Sequence, residues 1–500
     1  MSFYSKVQDE LNTRKSVTTN GAIAYATSGK KLLDFNFGIS GMRCLAEKTI
    51  QENFKKVFLE DKLHSLEYLF YAGDIRGGLG ERKVFRAGLS YLAESQPKIA
   101  EAVMDLIPYY NRWDSILGYL DCEGTREKAV EMIKSQLKKD KEYMKAELPV
   151  SLCAKWMPSV NASSKKTREK AQLICELLGW TQRKYRKKLV KLRKYIRIVE
   201  SQMSANKWDK INYGEVPSKA NLIYNNAFLR HDEKRRREFL SAVEKGEAKI
   251  NASTLNPHEI CLKYRQNRCR EDATLEALWK ALPDLSVENT LVVRDGSGSM
   301  TWGRFGDGWC TPLDAATALA IYMAEHNSGE WRNKFITFSA NPKIVDLSGC
   351  DTLAEKVDLS LAEADCSNTD IYKTMMLILR TAVHNHIPAE EMPKMVVICS
   401  DMQFDGCSHN LSKSLFDEIA EDFEDAGYKL PRICFWNLDG RVSGTIPMQQ
   451  NGLGLVLCSG FSVNILKMFM SNQIDPYKVL LETLESERYD PVREAVKGLL

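Results

Sequence analysis

The sequence predicts a multidomain protein, an α-helical repeat domain followed by a doubly wound α/β domain. Three observations predict this. The chain has 500 residues, more than one usual hydrophobic core holds. Residues 1 to about 285 read as short helices separated by breakers. From about residue 284 continuous apolar runs alternate with helical segments, the pattern of a mostly parallel sheet covered on both faces.

In the first half the candidate helices are 46–72, 81–94, 97–107, 125–144, 166–178, 182–200 and 233–245. The breakers are "GDIRGGLG" (73–80), Pro108, "DCEG" (121–124), "MPSVNASS" (157–164) and "NASTLNP" (251–257). Short helices with short breaks predict antiparallel pairs stacked as a HEAT-like α-solenoid, on helix count and loop length alone, since no exact repeat is visible. In the second half the candidate strands are 289–295, 334–340, 343–347, 394–401, 431–438 and 452–460. Helices are expected near 311–326, 352–361, 370–384, 411–427 and 463–471. "FSANPK" reads as the one hairpin. The predicted domains are therefore 1–285, helical; 286–475, α/β; and 476–500, a helical tail expected to pack back on the first half.

The apolar fraction (44%) and charged fraction (27%) are ordinary for a globular protein. No run approaches 18 uncharged apolar residues, so no membrane span is expected. The first residues lack an apolar core and a small-residue cleavage site, so no secretory signal is expected. Thirteen cysteines without a C-x-x-C pair predict reduced thiols, a cytoplasmic protein and no zinc site. A monomer is expected. "HNH" (384–386) carries the letters of a nuclease label, but it falls at the end of a helical pattern before Pro388 and reads as a helix C-terminal cluster. The net charge of +4 hides an asymmetry. Residues 165–197 hold thirteen Lys or Arg and two Glu, whereas 350–430 is acidic. An anionic partner for the first half follows.

"NTLVVRDGSGSMTWG" (289–303) carries the clearest chemistry. No Lys follows its glycines, so a P-loop is excluded, and G-x-G-x-x-G is incomplete. Gly296-Ser297-Gly298 is half a nucleophile elbow, and nothing ties His384, His386 or His409 to Ser297. A metal reading fits better. Asp295, Ser297 and Ser299 alternate, so an extended loop can point three oxygens one way. Two further strand-to-helix junctions offer oxygens: Thr369 in "CSNTDIY" and Asp401 in "VVICSDMQFD". Asn368 and Asp370 read as supporting residues or caps. Two carboxylates with hydroxyls and waters suit Mg²⁺, with Mn²⁺ or Ca²⁺ as alternatives. The bland alternative is a flexible Gly/Ser turn with Asp401 as a helix cap.

"DGSGS" followed by Thr369 and Asp401 resembles the metal-ion-dependent adhesion site of a von Willebrand factor A domain. The resemblance implies Asp295, Ser297, Ser299, Thr369 and Asp401 as the metal set. It also implies an open position on the ion that a partner's Asp or Glu can fill. A helical first half before such a domain resembles the Ro ribonucleoprotein (TROVE) family. "NGAIAYATSGKKLLDFNFGIS", "DIRGGLGERKVF", "VPSKANLIYNNAFLRHDEKRRREFL", "NPHEI", "NTDIY" and "SDMQFD" resemble a Ro-like family of uncharacterised activity over nearly the whole chain. That resemblance implies a ring of helices and binding of small structured RNA or single-stranded RNA ends.

The residues support RNA binding independently in "TQRKYRKKLVKLRKYIRIVE". Tyr185, Leu189, Leu192, Ile196 and Val199 give one apolar face. Arg183, Lys184, Arg186, Lys187, Lys188, Lys191, Arg193, Lys194 and Arg197 occupy the rest, an electrostatic footprint for phosphates or simply a solvated basic face. Trp180 or Tyr195 could stack a base, although aromatic residues in this setting are more often core. Arg76, Arg82 and Lys83 in the Gly-rich loop are secondary candidates, with a plain helix–helix turn as the equal alternative. "HDEKRRREF" (231–239) alternates signs like a salt-bridged surface. The expected function is an RNA-binding scaffold with a divalent metal site. The alternative is a metal-dependent protein-assembly module without RNA. No enzymatic step is expected, because no general base pairs with the metal set.

Overall fold

The computed structural model describes residues 15–18, 23–302, 310–339, 342–364, 371–404, 415–439, 446 and 454–500. The chain divides into two compact, discontinuous units. One comprises 1–46, 56–64 and 252–486; the other comprises 47–55, 65–251 and 487–500. The boundaries at 285/286 and 475/476 that the sequence suggests are therefore not the boundaries of the compact units.

The first unit is built on a six-stranded mixed sheet. Its strands are β3 (Thr290–Asp295), β4 (Lys334–Phe338), β5 (Ile344–Asp346), β6 (Met395–Ser400), β7 (Arg432–Asn437) and β8 (Leu455–Ser459). A separate short pair, β1 (Lys15–Val17) and β2 (Ile23–Tyr25), precedes them. The sheet order is β5-β4-β3-β6-β7-β8. All neighbours are parallel except β4 and β5, the antiparallel pair that "FSANPK" predicts. Every residue of β3 and β6 is buried, as expected for strands covered on both faces. The edge strand β5 is half exposed.

The helix Pro312–Glu325 shows why one covering layer forms where it does. Thr311 caps it, Asp314 closes the capping box, and Pro312 occupies the first turn. Its alanine-rich surface is buried almost all round. The helices Leu353–Ala362, Ile371–His384 and Leu415–Asp425 follow the sequence expectation. The stretch expected as a helix at 463–471 is instead a 3₁₀ segment, Val463–Met470.

The described residues from 23 to 46 belong to the unit of the sheet. Leu32, Leu33, Phe35 and Phe37 of the helix Lys31–Phe37 are buried. Asn36 Nδ2 donates to the carbonyl of Leu457 (3.2 Å), and Asn437 Nδ2 donates to that of Phe37 (2.9 Å). The backbone N–H of Ser40 donates to Ser459 Oγ (3.2 Å). These bonds satisfy polar groups near the carboxyl ends of β7 and β8, and so fix the segment there.

The second unit is helical. Its helices include Arg82–Ser95, Pro97–Val103, Glu123–Lys145, Lys165–Leu177, Gln182–Tyr195, Ser218–His231 and Glu233–Glu244. The single helix expected over 46–72 is two, Glu47–Glu60 and Lys62–Gly73. Asp61 leaves helical geometry, and its Oδ1 accepts from the His64 N–H (3.0 Å), restarting the helix. The helix expected over 182–200 ends at Tyr195, because Arg197 turns left-handed (φ 55°) and a new short helix begins at Val199. Of the expected tail 476–500, residues 487–500 fall in the same compact unit as 65–251, whereas 476–486 fall in the unit of the sheet. Among the described residues no helix is long and apolar enough to cross a membrane, and the described cysteines are free.

Candidate functional site

The strand order places the candidate metal residues. The chain leaves β3 for β4 and β5 on one side, then returns to β6 on the other side of β3. The carboxyl ends of β3 and β6 therefore form a topological switch point, where open α/β sheets bind ligands. Asp295 is the last residue of β3, and Asp401 follows the last residue of β6. Both are buried.

Asp295 is held by two donors. The N–H of Ser297 donates to its Oδ1 (2.8 Å), and the Ser400 hydroxyl donates to its Oδ2 (2.5 Å). Ser297 Oγ and Ser299 Oγ lie 3.0 Å apart at the start of the turn Gly298–Thr301. Among the described residues, a side chain on Gly298 would meet nothing within 4 Å. Asp401 Oδ1 accepts from the Gln403 N–H (3.1 Å). Met402 is fully buried with φ 63°, a left-handed conformation that a bulky residue rarely adopts. Such strain persists only where the surroundings enforce it, and here it turns the chain directly after Asp401.

The electrostatics are those of crowded like charges. Burial first, and the neighbouring Asp401 second, push the Asp295 carboxyl up to about 7; the hydrogen bonds from Ser400 and Ser297 only partly oppose this. Among the described residues no Lys or Arg forms an ion pair with Asp295. Nor do three His, Cys, Asp or Glu side chains gather there into a metal cluster. The donor set is two carboxylates and two hydroxyls, hard oxygen ligands suited to Mg²⁺, Mn²⁺ or Ca²⁺. A cation would remove the penalty on the carboxylate pair, so these residues fit the ion. Thr369, with Asn368 and Asp370, lies outside the described residues.

The basic helix Gln182–Tyr195 carries the second candidate. Tyr185, Leu189 and Leu192 are buried, as the helical spacing predicts. Arg183, Lys184, Arg186, Lys187, Lys191 and Lys194 are exposed, and among the described residues none has an ion-pair partner. Arg193 differs: its guanidinium donates to the Ala154 and Met157 carbonyls and to Ser159 Oγ, a structural role. Burial, then the charges of Lys141 and Lys184, lower the pKa of the half-buried Lys188.

The Gly-rich loop is a close helix–helix turn. Buried Asp74 accepts from the Arg76 N–H (2.9 Å), while Arg76 Nη1 donates to the Tyr109 carbonyl (2.9 Å). A Cβ on Gly78 would lie 2.0 Å from the Tyr71 carbonyl oxygen, so close backbone approach requires this glycine. Arg82 and Lys83 are exposed on the helix that follows. "HDEKRRREF" is the salt-bridged surface that its alternation suggests. Arg235 pairs with Asp232 (2.8 Å) and Arg237 with Glu233 (2.9 Å), while Arg236 is buried against Tyr213, Phe228 and Phe239. "HNH" ends the helix Ile371–His384, with His386 at φ 51° closing it. Sequence reasoning missed Ser400 and Met402. Their positions beside a strand-end Asp are the only signal the sequence offers for them.

Comparison with known proteins changes the family. Residues 179–287, which include the basic helix, match a domain of unknown function, DUF2828. Residues 289–496, which include Asp295 and Asp401, match a second domain of unknown function, DUF7788. The resemblance to the Ro (TROVE) and von Willebrand factor A families is thereby overturned, since neither family is found among these matches. A helical half and a strand-end D-x-S-x-S are solutions that unrelated chains can share, because a fold and a small ligand set do not define a family. The chain is also similar to the uncharacterized protein L728 of Acanthamoeba polyphaga mimivirus, 30% identical over 522 residues that cover 95% of this chain and 88% of the viral protein. The chain belongs to the family that includes this viral protein.

Proposed function

We propose that the α/β unit is a divalent-cation-dependent binding site, in which Asp295, Ser297, Ser299 and Asp401 hold Mg²⁺, Mn²⁺ or Ca²⁺ and the ion takes a carboxylate from a partner protein. Thr369 joins this set on its sequence position alone. The observation that carries the reading is the pair of buried carboxylates at the switch point, with Asp295 pushed up to about 7. Such a pair is costly without a cation and stabilised by one. Bound there, the cation supplies a fixed positive charge for an anionic group. The protein's residues supply the oxygens, the orientation set by Ser400, and the turn at Met402. Calorimetric titration with Mg²⁺ and Mn²⁺ is expected to show saturable binding and a raised melting temperature, both lost in Asp401→Ala. No heat and no melting shift at millimolar cation would sink the proposal.

A second reading concerns the helical unit, in which the consecutive helices Arg82–Ser95 and Pro97–Val103, and Ser218–His231 and Glu233–Glu244, are in contact, which supports a HEAT-like repeat. There the exposed cations of the helix Gln182–Tyr195, without an ion-pair partner among the described residues, favour binding of RNA, so that the protein acts as an RNA scaffold. The triple charge reversal of Lys187, Lys188 and Lys191 to Glu is expected to weaken RNA binding by a factor of roughly 10²–10³ at low salt and to flatten its salt dependence. Unchanged affinity in a filter-binding assay would remove this helix as the contact.

A further inference from the structure

We propose that the basic face binds single-stranded nucleic acid in preference to duplex, with Trp180 as the platform on which an unpaired base stacks. This rests on the nucleic-acid reading above and deepens it. Gly179 (φ 63°) ends the preceding helix, and Thr181 caps the next, so Trp180 is fixed between two helices and half-buried. Lys188 Nζ lies 4.5 Å and Lys184 Nζ 5.1 Å from the Trp180 ring centre. A second aromatic–cation pair stands on the helix Glu123–Lys145, where Lys139 Nζ lies 5.4 Å from the ring of Tyr143, itself 37% exposed. Lys141 of that helix is close enough for its charge to act on Lys188. Each of the two helices thus places a lysine over an aromatic ring.

An aromatic ring set among cations discriminates between polyanions. A duplex offers phosphates outside and keeps its bases stacked within, so it meets the lysines and leaves the rings unused. An unpaired strand can lay a base on the indole as the ammonium groups of Lys184 and Lys188 move from the ring to the flanking phosphates, where Lys141 joins them. An acidic peptide would use the cations alone.

The test is fluorescence anisotropy on the full chain at low salt. The probes are labelled oligo(U), an RNA duplex of the same length, and unlabelled polyglutamate as competitor. Wild-type protein is expected to prefer the single strand. Trp180→Ala is expected to weaken single-strand binding by about tenfold or more, the scale of one stacked base, and to leave duplex binding unchanged. Trp180→Phe keeps an aromatic face and is expected to retain most of the affinity, which separates stacking from a folding defect. Equal losses for strand and duplex, no loss in Trp180→Ala, or displacement of the strand by polyglutamate as readily as by oligo(U) would overturn stacking. Absence of binding to either RNA would overturn the nucleic-acid reading as well.

Discussion

Asp295→Asn makes the cation-free protein more stable at pH 8 while abolishing cation binding; this is the expected result if the carboxylate pair exists to hold a metal. The Asp295 carboxyl titrates near 7 in the folded chain, against 3.8 for an ordinary Asp. Between those values the folded state keeps a proton that the unfolded state has released. Stability of the cation-free protein therefore falls as pH rises from the lower value through the higher one, then levels off. Three pH units correspond to about 4 kcal/mol at the upper limit. Asn removes the charge and keeps one acceptor for Ser297 or Ser400, so the net gain is smaller, roughly 1–3 kcal/mol. Denaturant unfolding with chelator at pH 5 and pH 8 checks this. Wild type is expected to be weaker at pH 8 than at pH 5, and Asp295→Asn to lose that difference. With saturating Mg²⁺ the order reverses, because the ion binds only the wild-type fold tightly. A variant less stable than wild type at pH 8 in chelator would make Asp295 a structural acceptor instead of a metal ligand.

The legible part of this protein is the part governed by local pattern. β3 and β6 read directly from "TLVVRD" and "MVVICS", because strands buried on both faces leave unbroken apolar runs. Asp295 and Asp401 were visible for the same reason, as carboxylates that end such runs. The switch point between them was not visible, since strand order depends on pairings distant in sequence. Nor was the placement of residues before 46. Asn36 and Ser40 look like ordinary loop polars until Leu457 and Ser459 supply their partners. Some signals were present but unused. Asn256 and Glu259 frame Pro257 in a capping box, and Asp272 caps Ala273–Lys280, yet neither helix stood out without a longer apolar stripe. The Gly-rich loop left two equal readings, a phosphate contact or a helix–helix turn, because glycines serve both; the fold uses Gly78 for close approach to Tyr71 and buries Asp74.

That buried aspartate sets the second large effect. Asp74 has no exposed side-chain surface, and Arg488 of the tail grips it with both Nε and Nη2, the latter at 2.9 Å. Tyr489 adds its hydroxyl to the same carboxylate (3.3 Å), and its ring stacks on Tyr110 at 5.7 Å. A few residues on, Arg493 Nε donates to Glu67, which is equally buried (2.9 Å). Two carboxylates of the first half are thus neutralised by arginines contributed after residue 487. Removing one partner of a buried pair costs more than the pair is worth, because the remaining charge stays out of water. Arg488→Ala is expected to destabilise the helical unit by roughly 3–5 kcal/mol, a fall in melting temperature of roughly 10 °C for a unit of this size. The double variant Asp74→Asn with Arg488→Met leaves no charge behind and is expected to recover most of the loss. Circular dichroism melts of the three proteins decide it. A cost below about 1 kcal/mol for Arg488→Ala, the range of an exposed ion pair, would mean that water reaches Asp74 and that the tail is not a clamp.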